Sequence, residues 1–314
     1  MHATPSGPKE TTVSQPGEVI YADLEFMGHS SLAGATISLK FLDEFSNYLW
    51  SFAIKSKHAT EVLTCWTEVV NQLKTQFNYT VKSLQTDNGT EFVNGTMEDF
   101  NAGCGINHRL TVPYRHEMNG RIERINRTGA NAVRTMLQFA NLPNSYWAEA
   151  YHTYSYIHNR TSINNLVRKT PYEILYGRKP DLSYIKIFGS VAYVRIPPEQ
   201  RKKLDAKSMK CILVGYREDA AYRLIKPDTR QVVYSRDVVV DELGSFRIGE
   251  RERKQGGKDF LDEITREESH VQAPTQLRRS ARLRSHEEHG AVDSTLLTYE
   301  PQYIAGIPDR KSVV

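Results

Sequence analysis

Residues 83–92, "SLQTDNGTEF", decide the reading of this chain. Leu84 and Thr86 suit a β-strand, and Asn88-Gly89 is a strong turn signal. Asp87 therefore falls where a strand ends, a rigid support from which a carboxylate can act. Taken alone, "TDNG" is equally a plain turn with a local aspartate cap. The surrounding chain has to decide between the two.

Upstream, "EVIYADLEF" (18–26), "ATISLKFLDEF" and "NYLWSFAIKS" read as three strands of an antiparallel meander, separated by the turn-formers "MGHSS" and "DEFSN". "HATEVLTCWTEVVNQLKTQF" carries Val62, Trp66, Val69, Leu73 and Phe77 at steps of three and four, which predicts an amphipathic helix of about five turns. Downstream come a short helix in "EFVNGTMEDFNAG", a strand in "INHRLTV", and long helices over 118–140 and 144–160. This order predicts a mixed α/β sheet flanked by helices. Past "TPYEILYGRKP" the texture changes. "GSVAYVRIP", "KCILVGY", "AYRLIKP" and "RQVVYSRDVVV" are β-branched runs between turn and charge clusters, which predicts a small antiparallel barrel. The expected divisions are a disordered lead-in (1–17), a core (18–165), a linker (166–185), the barrel (186–242) and a mostly disordered charged tail (243–314).

Three acidic residues fall at meaningful places: Asp23 in the first strand, Asp87 at a strand end, and Glu123 in the first turns of the long helix, 35 residues beyond Asp87. Brought to one sheet edge, three carboxylates would repel unless a hard cation sat among them. Mg²⁺ accepts one or two carboxylates plus water and substrate phosphate, and a pair of such ions serves phosphoryl transfer. The helix of Glu123 has a predicted apolar stripe of Ile122, Ile125, Gly129, Val133 and Met136. Its other face carries Arg127, Ala130 and Arg134, with Arg121 and Arg124 on the flanks. A basic face presenting one glutamate suits a nucleic-acid backbone, though an i,i+4 Glu–Arg pair on a solvated helix is the plainer reading.

The chain has 314 residues, is 39% hydrophobic and 25% charged, and has a net charge of +4. These are ordinary values for a globular protein, and the mild basic excess permits nucleic-acid binding without requiring it. Cys65, Cys104 and Cys211 are scattered, with no zinc spacing and no even-numbered disulfide framework. No run of 18 apolar residues occurs and the N-terminus has no apolar core, so the expectation is an intracellular chain with no membrane contact.

Eight stretches carry a family resemblance: "YADL", "FLDEFSNYLWSFAIKSK", "LQTDNGTEF", "GINHRLTVPY", "NGRIERINRT", "YWAEA", "NRTSINN" and "TPYEILYGRKP". In this order they resemble the integrase region of copia-type LTR retrotransposon Pol polyproteins. The run from "FGSVAYVRIP" to "YSRDVVVDE" is similar to the SH3-like barrel that follows the core there, and "LRRSARLR" to the basic tract before the reverse transcriptase. The resemblance covers roughly residues 15–285. It implies a ribonuclease H-like core with a mixed five-stranded sheet, in which Asp23, Asp87 and Glu123 are catalytic residues and ligands of two Mg²⁺ or Mn²⁺ ions. Asn119 and Gly120 match the family's Asn-Gly before the glutamate. Asn126 and Arg127 match its Asn-Arg just after, so Asn119, Arg121, Arg124, Asn126, Arg127 and Arg134 are the candidate DNA contacts.

The implied reaction is 3′-end processing by water, then in-line attack of the freed hydroxyl on target DNA. The implied partners are element-end and target DNA and further copies of the chain, in the nucleus or in a cytoplasmic retrotransposon particle. Two departures stand out: Thr90 replaces a second glycine, and "RHEMNG" replaces Pro-Gln-Gln-Asn-Gly. The zinc module, protease and reverse transcriptase of the family are not in this sequence, so the expectation is a piece of a decayed element or of a longer polyprotein. Two other readings stay open: a catalytically silent DNA-binding or tethering protein, and a ribonuclease that draws a further acid, Glu61, from the first helix.

Overall fold

The structure, a computed structural model, describes residues 13–110, 120–162, 164 and 167–245. Strand β1 (Val19–Phe26) is the hub of the first sheet. It pairs antiparallel with β2 (Ile37–Asp43), which pairs antiparallel with β3 (Leu49–Ile54). On its other side β1 runs parallel to β4 (Ser83–Thr86), and β4 parallel to β5 (Asn107–Leu110). The order is β3-β2-β1-β4-β5, the mixed five-stranded sheet expected from the sequence. The parallel steps need crossovers, supplied by α1 (Ala59–Phe77) before β4 and α2 (Gly95–Cys104) before β5.

Side chains alternate between the two faces of these strands. Ile20, Ala22, Leu39, Phe41 and Trp50 join Val62, Trp66, Val69 and Leu73 of α1 in one apolar core. Both indoles there donate a hydrogen bond, Trp50 to Gln72 at 2.6 Å and Trp66 to Asn101 at 2.9 Å, so burial leaves neither N–H unmet. On the opposite face Val19, Tyr21, Leu42 and Leu49 receive Ile122 of α3 (Gly120–Ala140). Farther along that face the apolar residues stop, and Asp23, Glu25 and Lys40 take their place.

The seating of α3 differs from the predicted stripe. Its buried residues are Ile122, Asn126, Gly129, Val133, Leu137 and Ala140, with Ile125 and Met136 only half-buried. The helix is rotated so that a polar residue, Asn126, faces inward. Gly129 permits close approach to α4 (Trp147–Thr161), since a methyl group there would fall on the Tyr151 hydroxyl and within 2.8 Å of Tyr151 Cζ.

At the start of the described residues Val13 packs on the cluster around Ile122, and the Gly17 amide donates to buried Asp43 at 2.7 Å. The expected linker holds α5 (Pro171–Tyr176), closed by a capping box between Thr170 and Glu173 and docked through Leu175 and Tyr176 on the first core. The second sheet is all antiparallel, in the order β10-β6-β7-β8-β9, from β6 (Ser190–Arg195), β7 (Ser208–Tyr216), β8 (Tyr222–Ile225), β9 (Val232–Ser235) and β10 (Val238–Ser245). It has five strands where four runs were read, because "RQVVYSRDVVV" breaks at Arg236-Asp237, and β10 continues past residue 242.

This sheet packs on the core and is not strung from it. Phe188, Ile212, Val214 and Ile225 share a cluster with Val133, Leu137, Trp147 and Tyr151. Thr153 donates to the Val214 carbonyl at 2.9 Å, and Arg223 forms a buried bidentate pair with Glu149 at 2.6 and 2.9 Å. All described residues fall in one compact unit.

Candidate active site

The parallel pairing of β1 with β4 runs from Val19 opposite Ser83 to Tyr21 opposite Gln85; Asp23 and Asp87 each lie two residues beyond that last pair, Asp87 past the end of β4, and the charge of Asp87 is felt at Asp23. Residues in register on neighbouring strands point to the same face. Asp23 remains inside β1. Asp87 lies one residue beyond Thr86, exposed, its Oδ1 accepting from the Gly89 amide at 3.0 Å. The "DNG" turn thus holds the carboxylate on a short Asx bend at the strand end. Thr86 steadies the same point, since its hydroxyl donates to the Asp87 carbonyl at 2.7 Å and lies 2.9 Å from His108 Nε2.

Burial pushes the Asp23 carboxyl above the usual carboxylate range, and the negative charge of Asp87 pushes the same way. Lys40, the Leu24 amide and the Asn126 side chain oppose them. Two carboxylates close enough to disturb each other, one of them desolvated, form an all-oxygen donor set with surplus negative charge. That chemistry fits a hard divalent cation, with water and a phosphate oxygen completing its shell.

Glu123 is placed differently. It is exposed on α3, one turn before Asn126, whose Nδ2 donates to Asp23 Oδ2. The helix is thus tied to Asp23 through Asn126, and Glu123 itself faces solvent. Among the described residues no group of three His, Cys, Asp or Glu side chains is set to hold a metal ion.

The expected DNA contacts divide in the same way. Arg127 and Arg134 are exposed on α3, and Arg134 donates to Asn131 at 3.1 Å. Arg121 turns to the β2–β3 connection and donates to the Glu44 carbonyl at 2.8 Å. Arg124 lines a cleft of about 350 Å³ with Arg121, Asn47 and His158. Asn126 is turned inward onto Asp23 and is not presented at the surface. Asn119, and with it Arg115, His116 and Glu117, lies outside the described residues, as do residues 1–12 and the tail from 246 on. Glu61 accepts from the Lys55 and Ser56 amides at 2.8 and 3.0 Å and closes the turn into α1. Reading the sequence did not single out Lys40. It is fully buried opposite Asp23 and paired with Glu25, and only the covering of this strand face by α3 and α4 distinguishes it from a solvent-facing lysine.

The sheet order, the two neighbouring aspartates and the second antiparallel sheet belong to one class of protein. The family described as integrase core domain matches residues 13–116, and the retroviral polymerase SH3-like domain matches residues 190–254. The chain belongs to the integrase region of retrotransposon Pol polyproteins, as its motifs implied. It is 35% identical over 227 residues to the retrovirus-related Pol polyprotein from transposon TNT 1-94 of Nicotiana tabacum, covering 72% of this chain and 17% of that one. It is 30% identical over 242 residues to the Pol polyprotein from transposon RE2 of Arabidopsis thaliana, covering 77% of this chain and 16% of that one. The chain thus spans about a sixth of the length of these relatives.

Similar solved structures include the HTLV-2 integrase catalytic core domain in complex with magnesium (20% identity, TM-score 0.40, 51% of this chain and 97% of that one). Another is the simian T-cell lymphotropic virus intasome in complex with the PP2A regulatory subunit B56 gamma (17% identity, TM-score 0.45, 76% of this chain and 84% of that one). At these scores the fold assignment rests on strand order and pairing. No helix among the described residues is long and apolar enough to cross a membrane.

Proposed function

We propose that this chain is a copia-type integrase, a polynucleotidyl transferase that processes the 3′ ends of element DNA and joins them to target DNA. The observation that carries the reading is that the adjoining parallel strands β1 and β4 bring Asp23 and the Asp87 that follows β4 near enough for their charges to interact, in a chain whose motifs follow the integrase order. In this reading Asp23, Asp87 and Glu123 hold two Mg²⁺ or Mn²⁺ ions. Such ions, when bound, supply activation of the attacking oxygen and stabilisation of the leaving one.

The chain's own residues have distinct tasks. Asn126 fixes the rotamer of Asp23, the Asx bend keeps Asp87 facing outward, and α3 presents Glu123 beside Arg127 where a DNA backbone would lie. No side chain need form a covalent intermediate. Element-end and target DNA are the partners, several copies assemble on them, and the site of action is the nucleus or a cytoplasmic retrotransposon particle. The separate placement of Glu123 gives weight to a second reading, a DNA-tethering protein with a silent core. The ribonuclease reading loses its further acid, because Glu61 is engaged by the backbone at the head of α1.

The test is an oligonucleotide joining assay with Mn²⁺ or Mg²⁺. Asp87→Asn and Glu123→Gln should each abolish strand joining while duplex binding stays within about twofold of the parent, because metal ligation rather than DNA contact is removed. Equal joining by parent and Asp87→Asn would reject catalysis at this pair, and no joining by the parent would favour the tethering reading.

A further inference from the structure

Lys40 is a charged side chain with no exposed surface, on the sheet face that carries the aspartate pair. The β1–β2 ladder sets it directly opposite Asp23, and directly opposed residues hold their Cβ atoms about 4.5–5.5 Å apart. Its ammonium pairs with Glu25, two residues along the same face of β1, and stands 4.7 Å from the Tyr151 ring centroid. Glu25 keeps about 29% of its side-chain surface in solvent, so it could be hydrated without this partner. Lys40 could not.

A buried cation that met Glu25 alone would be purely structural, but the ladder sets Lys40 across from Asp23 as well as against Glu25. The sheet has placed a buried lysine on the same face as the carboxylate that would hold a divalent ion, its ammonium drawn to Glu25. Like charges in one buried region oppose each other strongly once water is excluded.

We propose that Lys40 is a positioning residue, an internal counter-ion to Asp23 that holds down the divalent-cation affinity of the Asp23/Asp87 pair, with Glu25 drawing its ammonium aside. The inference rests on the reading of that pair as metal ligands. It predicts effects of opposite sign. Lys40→Met keeps an unbranched chain of similar length and removes the charge, which favours the metal. Glu25→Gln releases the ammonium toward Asp23, which disfavours it. Lys40→Arg keeps the charge.

The experiment is calorimetric titration of Mn²⁺ into the full chain at one pH and ionic strength, with circular dichroism as the folding control. Lys40→Met should bind about tenfold tighter than the parent, which is about 1.4 kcal/mol. Lys40→Arg should match the parent and Glu25→Gln should bind several-fold more weakly. Unchanged or weaker binding by folded Lys40→Met overturns the proposal. Should that variant not fold, unchanged binding by Glu25→Gln does the same. Parent-like binding by Asp87→Asn would instead show that the ion sits elsewhere, overturning the ligand reading and this inference with it.

Discussion

Glu149→Gln tests whether the second sheet is a fixed part of the core. In the parent, Arg223 donates through Nε and Nη2 to the two Glu149 oxygens at 2.6 and 2.9 Å, and neither side chain is more than 9% exposed. The amide that replaces the carboxylate can still accept one of these bonds, but it leaves a guanidinium buried without its counter-charge. Breaking one side of such a pair costs about 3–5 kcal/mol, and the retained bond puts this case near 3. Replacing both partners by apolar residues, Glu149→Leu with Arg223→Met, removes the stranded charge. Tyr234, which also accepts from Arg223, is 40% exposed and can turn to water, so the double variant should stay within about 1 kcal/mol of the parent. Urea denaturation of the full chain, read by tryptophan fluorescence, separates these cases. Trp147 lies in the cluster under the second sheet while Trp50 and Trp66 report the first core. The parent should unfold in one transition and Glu149→Gln at a markedly lower midpoint. A loss below about 1 kcal/mol in the single variant, or a double variant weaker than the single, would refute the claim that an ion pair fixes this interface.

The remaining predictions concern α4 and its contact with α3. Gly129→Ala should destabilise by about 1–3 kcal/mol, because its methyl meets Tyr151, and adding Tyr151→Phe should recover part of the loss by removing the hydroxyl in its way; no loss in thermal denaturation of the single variant would count against the close packing. Burial pulls His152 down to about 4, so between about 6.5 and 4 the unfolded chain takes up a proton that the folded chain does not. Stability should therefore fall as pH drops through that window, by at most about 3 kcal/mol, and His152→Gln should flatten the curve; equal slopes for variant and parent would reject it.

What the sequence concealed is mostly polar. Hydropathy placed the strands and long helices well, but it set Ile125 and Met136 on the inner side of α3 in place of Asn126 and Leu137. An asparagine is buried only where a partner awaits it, and the partner is Asp23, 103 residues away along the chain. Lys40 failed for the same reason: a lysine between Leu39 and Phe41 reads as the solvent side of an alternating strand until α3 and α4 cover it. By contrast α5, which lies where a linker was expected, has purely local signals. "TPYEILYG" has Thr170 at the cap, Pro171 at the first turn, Glu173 three residues after the cap and Gly177 at the end, all helix boundary signals. Asp87 was legible because its turn chemistry is local, whereas the company it keeps with Asp23 depends on strand pairing that no short stretch encodes.

The way α3 is anchored limits how Glu123 can approach the two aspartates with which the proposed function groups it. Ile122, next to Glu123, is fully buried among Val19, Tyr21, Leu42 and Leu49, and Asn126, one turn on, is held by Asp23. Farther along, Gly129 lies against Tyr151, and Val133 and Leu137 enter the cluster shared with the second sheet. Sliding the helix toward Asp87 would break contacts at each of these levels at once, and close-packed interiors resist such graded shifts. The backbone of Glu123 is therefore fixed on its C-terminal side, and what can bring its carboxylate toward Asp23 is rotation about its own side-chain bonds. In the proposed site, packing farther along the helix thereby governs the geometry available to Glu123. On this argument a Gly129 substitution, remote from any reacting atom, should impair strand joining as well as stability.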